Sequence, residues 1–207
     1  MRTLFATLLL ALGLVALLPP GAAQAQECLD SSGEFYVTCT SFSSDSGSPG
    51  IGPGLNTGST RTIVRILQGA DATCGSELIE KRYRIDCLRL YYLKVADALP
   101  DSGDYLPIKT AMLDAAAKLD AIVEANLDER TPPIRPREGH KPAAKRLPVV
   151  RPVQEDMADI ALAQAAEVVK ETELIIIRSG GDPARRTEHY TDIAAAVEDN
   201  LVILRSA

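Results

Sequence analysis

Six prolines lie between Glu129 and Pro152, and they divide the helical part of this chain in two. A proline inside a helix removes a backbone donor and clashes with the preceding turn, so this stretch cannot be helical. The same stretch holds seven Lys or Arg residues and two acidic residues. A loop of this length inside a compact domain is uncommon, and it is usually functional or disordered. The sequence therefore predicts helices on both sides of a basic connector, residues 129–152.

Apolar residues recur with the helical period in residues 61–127 and again in residues 154–206. We therefore expect an all-α protein, an up-and-down bundle of about four helices in residues 61–207. Two segments fit either a helix or a strand. Thr62–Leu67 is apolar enough to be a helix or a strand, and the run Leu174–Ile177 is compatible with either because consecutive isoleucines favour β-structure.

One predicted helix is apolar on two faces. Ser76 is a plausible N-cap for it, and it is expected to end near Leu99. Its polar strip carries Arg82, Asp86 and Arg89, which have the spacing of i,i+4 and i,i+3 ion pairs. Because a helix with two apolar faces is packed on both sides, we expect this helix at the centre of the fold.

Residues 1–25 have the pattern of a secretory signal peptide. Arg2 precedes the uncharged run Leu4–Leu18, and Ala23 and Ala25 form a small-x-small cleavage site. A run of 15 helical residues spans about 22 Å, which is short of a hydrocarbon core of about 30 Å, so a retained anchor is disfavoured. Cleavage would leave 182 residues with a net charge of −7. We expect a periplasmic or secreted protein without a transmembrane anchor, and the absence of an Asn-x-Ser/Thr sequon favours a bacterial envelope.

Residues 26–60 are rich in Ser and Gly and contain neither Lys nor Arg before Arg61. Their strand-like run is residues 34–39, whereas residues 43–60 have the composition of a flexible linker. The glycines of this linker do not form a phosphate-binding loop, because no Gly-Lys-Ser/Thr follows them. We therefore expect a mostly irregular N-terminal segment that cysteines tether to the bundle.

The four cysteines, Cys28, Cys39, Cys74 and Cys87, suggest two disulfides in an oxidising compartment. A helix that starts at Ser76 would place Cys87 about 16 Å along its axis from the cap. The Cα atoms of a disulfide lie within about 7 Å of each other. Local pairing of Cys74 with Cys87 therefore conflicts with the predicted helix unless the helix begins near Arg84. Pairings that cross between residues 26–40 and residues 74–87 are favoured.

The overall net charge of −6 argues against general nucleic-acid binding, which needs a basic surface. The connector is the basic exception in an acidic chain, and two interpretations of it compete. It is either a solvated loop drawn to the protein's own acidic helices or an arm that binds an acidic protein or an anionic envelope component. The arm residues are Arg135, Arg137, Lys141, Lys145, Arg146 and Arg151.

A second, weaker anion-binding candidate is formed by Gly180, Gly181, Arg185 and Arg186 at a helix start. Free backbone N–H groups and two guanidinium groups suit an anion. The competing interpretation is a plain helix start that is capped by Asp182.

No motif of a known catalytic, metal or haem site is present, and no cofactor is expected. His189 has Glu188 and Asp192 beside it, but a surface histidine is the simpler interpretation. The expected function is a non-catalytic binding protein that acts through protein or envelope contacts. The alternatives are a hydrolase-like periplasmic enzyme whose residues converge only in the fold, or a protein that binds a small anion or a metal.

Overall fold

The computed structural model describes residues 51–52, 54–181 and 184–205, together with two short strands. These strands, β1 (Glu27–Cys28) and β2 (Val37–Thr38), pair antiparallel, with Cys28 opposite Val37. They belong to the first of two units, residues 1–46, and residues 47–207 form the second. The predicted signal peptide and Cys39 lie outside the described residues.

The second unit is all-α in its described part. Its helices are α1 (Thr57–Cys74), α2 (Arg84–Ala98), α3 (Leu106–Ala125), α4 (Ala158–Ser179), α5 (Ala184–Asp199) and α6 (Leu201–Arg205). Consecutive helices from α1 to α5 pack against each other, α1 also packs against α5, and α6 packs against α4. The helical class expected from the sequence is confirmed.

Helix α1 is longer than the sequence predicted. Thr62–Leu67 was predicted as a helix or a strand and residues 43–60 as a flexible linker, whereas the helix has 18 residues and begins inside that linker, at Thr57. The side chain of Asn56 accepts a hydrogen bond from the Ser59 N–H at 2.8 Å and caps its first turn. A buried stripe at helical spacing then packs it into the core, and this packing outweighs the weak helix propensity of its glycines and threonines. The stripe consists of Thr60, Ile63, Leu67, Ala70 and Cys74.

The predicted start of α2 and the predicted disulfide pairing are both wrong. Ser76 starts a turn rather than the helix, because the Ile79 N–H bonds the Ser76 carbonyl, and α2 begins at Arg84. This later start brings Cys87 into the first turn of α2, next to the last residue of α1. Cys74 and Cys87 form a disulfide with Cα atoms 5.7 Å apart. The crossed pairing is therefore excluded for these two cysteines.

Helix α2 is buried on both sides, as its two apolar faces predicted. Ile85, Leu88 and Tyr92 are fully buried on one face, and Cys87 and Tyr91 are buried on the other. Because α2 packs against both α1 and α3, it holds the polar strip between its two apolar faces in a fixed position.

Helix α4 includes Leu174–Ile177, so the strand alternative for this run is wrong. Ile176 is buried, whereas Leu174 and Ile177 are about half exposed. The Gly180 N–H ends the helix by donating to the carbonyls of the last turn. A Cβ atom at Gly180 would lie 2.6 Å from the Tyr190 Cβ, so glycine is required where α5 approaches.

Candidate binding surface

The proline-rich connector forms an irregular hairpin, and we call residues 127–153 the connector hairpin. Three isolated antiparallel bridges join its two limbs: Leu127 to Val153, Ile134 to Val150, and Arg137 to Arg146. Leu147, Val150 and Val153 are buried, which places one side of the hairpin against the helical core. The connector is therefore part of the folded unit rather than a structureless loop.

Arg151 fixes the base of the connector hairpin to α2 and α3. Its backbone N–H donates to Asp86 Oδ2 at 2.7 Å, and its Nη2 donates to Asp86 Oδ1 at 2.7 Å. The same guanidinium pairs with Asp120 at 2.5 Å and with Glu124. Asp86 also accepts a hydrogen bond from Arg89 Nε at 2.6 Å. Two arginines and three carboxylates thus form one cluster.

Asp86 has no solvent exposure, so the charge of its carboxylate is compensated by the arginines of this cluster and not by water. Burial opposes ionisation, but the hydrogen bonds from Arg151 and Arg89 outweigh it and hold the pKa of Asp86 below its ordinary value. The same bonds, with those to Asp120, hold the pKa of Arg151 above its ordinary value. Asp86 and Arg151 therefore both carry their charge at neutral pH, and their contacts anchor the hairpin base.

Of the ion pairs predicted for the polar strip, only one forms as expected. The expected i,i+3 pair of Asp86 with Arg89 is present. Arg82 pairs instead with Glu80, at 3.0 Å, and with Glu155. Arg151 belongs to the predicted partner-binding arm, and the structure assigns its guanidinium to these internal contacts.

The tip of the connector hairpin is fixed to the end of α1. The Gly139 N–H donates to Thr73 Oγ1 at 2.9 Å, and His140 Nε2 lies 2.8 Å from the Thr73 carbonyl oxygen. Since a carbonyl oxygen only accepts, His140 Nε2 is the donor in this bond. The Tyr91 hydroxyl lies 2.6 Å from Thr73 Oγ1 and ties the same residue to α2. Thr73 therefore joins two helices and the hairpin tip.

Backbone conformation at the tip confirms that these contacts hold a defined turn. Gly139 and His140 have φ values of 56° and 55°, in the left-handed region. A residue other than glycine is uncommon there, at a cost of about 1–2 kcal/mol. The bond from His140 to Thr73 offsets that cost. Beside the turn, Glu138 forms an ion pair with Lys94 of α2 at 2.7 Å.

Four of the predicted arm residues face solvent on this fixed hairpin. Arg135, Lys141, Lys145 and Arg146 are exposed, and none forms an ion pair within the described part of the chain. Arg137 differs, because its Nη1 donates to the Ala144 carbonyl at 2.8 Å and joins the two limbs. The exposed cations are therefore held in place by contacts made by their neighbours.

The predicted anion site after α4 is only partly described. Arg186 forms an ion pair with Asp104, and Tyr190 donates a hydrogen bond to the Asp104 backbone carbonyl. The side chain of Arg185 lies outside the described residues. Gly180 serves as the end of α4, and Gly181 is exposed. The anion site stays a prediction.

A groove of about 310 Å³ between α1 and α5 holds His189. His189 Nδ1 lies 2.9 Å from Thr60 Oγ1, which lies 3.3 Å from the Tyr105 hydroxyl. Glu188 and Asp192 also line the groove. Among the described residues, no group of three or more His, Cys, Asp or Glu side chains is arranged to hold a metal ion.

The described fold defines an all-α protein whose helical core carries a fixed basic hairpin. No family model, curated protein or solved structure matches the chain. Within the described part of the chain, every helix is too short or too polar to cross a bilayer.

The cations of the hairpin were predicted from the sequence, but the residues that position them were not. Thr73 and Tyr91 carry no motif, and they lie 66 and 48 positions before Gly139 in the chain. The one local signal was Gly139 itself, because a glycine between two polar residues is typical of a turn.

Proposed function

We propose that this protein is a periplasmic or secreted binding protein that recognises an anionic protein or envelope component through its connector hairpin. The observation that carries the proposal is the contrast within the hairpin. Its base is fixed by Arg151 and its tip by Gly139 and His140, while exposed cations between them have no ion-pair partner in the described structure.

Such an arrangement favours binding for two physical reasons. A hairpin that is already fixed loses little conformational entropy when a partner binds. Exposed cations on an acidic protein also steer anionic partners towards the connector hairpin, since the net negative charge of the chain repels them elsewhere. The scaffold is an up-and-down bundle in this proposal, which is supported by the packing of each helix from α1 to α5 on the next.

The disulfide supports an oxidising location. Cytosolic thiols are normally kept reduced, whereas Cys74 and Cys87 are bonded here. Expression of the full chain in a bacterial host, followed by N-terminal sequencing, tests the location. A new N-terminus at Gln26 in the periplasmic fraction supports it, and unprocessed chain in the cytoplasm contradicts it.

Binding through the hairpin is tested with fluorescent poly-L-glutamate as the anionic probe. The triple variant Arg135→Gln/Lys145→Gln/Arg146→Gln removes three exposed cations of the hairpin. We expect its affinity to fall about tenfold, because each exposed ion pair contributes up to about 1 kcal/mol. Added salt should weaken the binding of the unmodified protein more steeply than that of the variant.

The matched control removes three exposed cations elsewhere, with the triple variant Arg61→Gln/Arg178→Gln/Arg205→Gln. Both triple variants change the net charge equally. Similar losses of affinity in the two variants would show that net charge alone governs binding, and the proposal would fail. It would also fail if the unmodified protein did not bind the probe.

The groove around His189 favours a second candidate function, a hydrolase. An imidazole held by Thr60 beside carboxylates is the chemistry of general acid–base catalysis. Hydrolysis of p-nitrophenyl esters by the protein and by a His189→Gln variant tests this candidate. Equal rates for the two proteins would remove it.

A further inference from the structure

A groove of about 470 Å³ lies between α1 and the tip of the connector hairpin, and we call it the tip groove. Its apolar lining includes Ile66 and Ala72 from α1 and Ala144 from the hairpin. Its volume is within the range of about 300–1,000 Å³ that is typical of ligand pockets. The tip groove exists because the turn at Gly139 is bonded to Thr73, which holds the hairpin beside α1.

The charges that line the tip groove are unbalanced. Arg65, Lys94 and Lys141 contribute three cations, and Glu138 contributes one carboxylate. Lys94 is satisfied, because it pairs with Glu138 at 2.7 Å and lies 5.6 Å from the centroid of the Tyr91 ring. Arg65 and Lys141 are exposed and have no ion-pair partner among the residues that the structure describes. The groove therefore has two available positive charges in a chain whose net charge is −6.

The combination of an apolar lining with two available cations determines which occupant fits. A bare phosphate or sulfate would leave Ile66 and Ala144 without a contact, so it would use only part of the groove. A peptide that places an apolar side chain between carboxylates satisfies both features. Carboxylates match a guanidinium and an ammonium group, and burial of the apolar side chain adds the hydrophobic contribution.

We propose that the tip groove binds an acidic peptide segment of a protein partner, with carboxylates at Arg65 and Lys141 and an apolar side chain against Ile66 and Ala144. This inference rests on the proposed function and makes it specific. It adds a residue of α1, Arg65, to the binding surface of the connector hairpin. It also predicts that apolar residues of the partner contribute to the affinity. Binding by the exposed cations alone would not depend on them.

The probes are three synthetic peptides of equal length, titrated into ¹⁵N-labelled protein and followed by backbone amide shifts. The first is acetyl-Glu-Leu-Glu-Leu-Glu-amide. The second replaces its glutamates by glutamine, and the third replaces its leucines by serine. We expect saturable binding of the first peptide, with the largest shifts at Arg65, Ile66, Lys141 and Ala144. The other two peptides should each bind at least about fivefold more weakly, since each lacks one of the two required features.

Two double variants distinguish the groove from general charge. Arg65→Gln/Lys141→Gln removes the two available cations of the tip groove, whereas Arg61→Gln/Arg178→Gln removes two exposed cations that lie outside both the groove and the connector hairpin. We expect the first double variant to weaken binding of the first peptide about tenfold, and the second to change it less than threefold. Ala72→Phe, at an exposed position of the lining, should block the groove and also weaken binding about tenfold.

Each contrary result has a separate meaning. Equal losses in the two double variants, or unchanged binding in Ala72→Phe, would overturn the tip groove while leaving hairpin binding to poly-L-glutamate intact. Tighter binding of the protein to vesicles with 30% phosphatidylglycerol than to the peptide would overturn the choice of a protein partner. If the unmodified protein bound neither the first peptide nor poly-L-glutamate, the proposed function itself would be refuted.

Discussion

Replacing Arg151 by glutamine tests whether the base of the connector hairpin is held by the charge cluster. The change removes the guanidinium bonds to Asp86, Asp120 and Glu124 and leaves a buried carboxylate with less compensation. Removing one partner of a buried ion pair generally costs about 3–5 kcal/mol. Here Arg89 still bonds Asp86 at 2.6 Å, and the backbone N–H of residue 151 remains. We therefore expect a loss of about 2–3 kcal/mol in the free energy of unfolding at pH 7.

The pH dependence gives a second readout for the same variant. The pKa of Asp86 is lowered in the folded protein, so its stabilising contribution is present above its ordinary value of 3.8. That contribution is lost as the pH falls through the still lower folded pKa. Without Arg151, burial raises the pKa of Asp86 relative to the unmodified protein, and protonation then relieves the uncompensated charge. The stability difference between the two proteins should shrink as the pH is lowered from 7 towards 3.

Denaturant unfolding followed by far-ultraviolet circular dichroism measures these differences, since the chain has no tryptophan. Arg146→Gln is the matched control, because it removes an exposed arginine from the same limb, and it should change stability by less than about 0.5 kcal/mol. The double variant Asp86→Asn/Arg151→Gln should recover part of the loss, since it leaves no buried charge unpaired. A loss below about 1 kcal/mol for Arg151→Gln, unchanged between pH 7 and pH 3, would refute the reasoning.

Three further changes test other parts of the fold by the same unfolding measurement. Gly180→Ala should cost about 1–3 kcal/mol because its Cβ would meet the Tyr190 side chain. Gly181→Ala should be near neutral, because its Cβ would make only an ordinary van der Waals contact, 3.7 Å from the Arg178 carbonyl oxygen. Equal effects would contradict the contact with Tyr190. Tyr92→Phe should leave stability unchanged or raise it by about 1 kcal/mol, because its buried hydroxyl has no partner in the described structure; a clear loss would reveal one. Reduction of the Cys74–Cys87 disulfide, which closes a short loop, should cost about 3 kcal/mol, and an unchanged unfolding midpoint would contradict that value.

The helical class followed from the sequence because apolar periodicity is a local signal that survives in the fold. Both faces of α2 were predicted from their spacing, and both are buried. The start of α2 was missed because Ser76 is a good N-cap and Leu78 continues the apolar period, although Leu78 is 73% exposed. Closure of the Cys74–Cys87 loop requires a turn at this point, and such a constraint from tertiary structure outweighs capping preference.

The basic character of the candidate surface also followed from the sequence, but the roles of its individual residues did not. Arg146 and Arg151 look alike as basic residues of one segment, yet the first is exposed and the second pairs with a fully buried carboxylate 65 positions earlier. Arg65 was not considered because α1 was not predicted as a full helix. Contacts between residues so distant in the chain depend on packing, which no local pattern encodes.

Thr73 and Cys74 are adjacent, and this adjacency has a consequence for local opening of the protein. The last turn of α1 holds a covalent link to α2 through Cys74 and a hydrogen-bonded link to the hairpin tip through Thr73. Any fluctuation that frays this turn releases the Gly139 amide at the same time. The end of α1 and the hairpin tip should therefore exchange their amide hydrogens as one cooperative unit, slowly while the disulfide is intact and faster together once it is reduced.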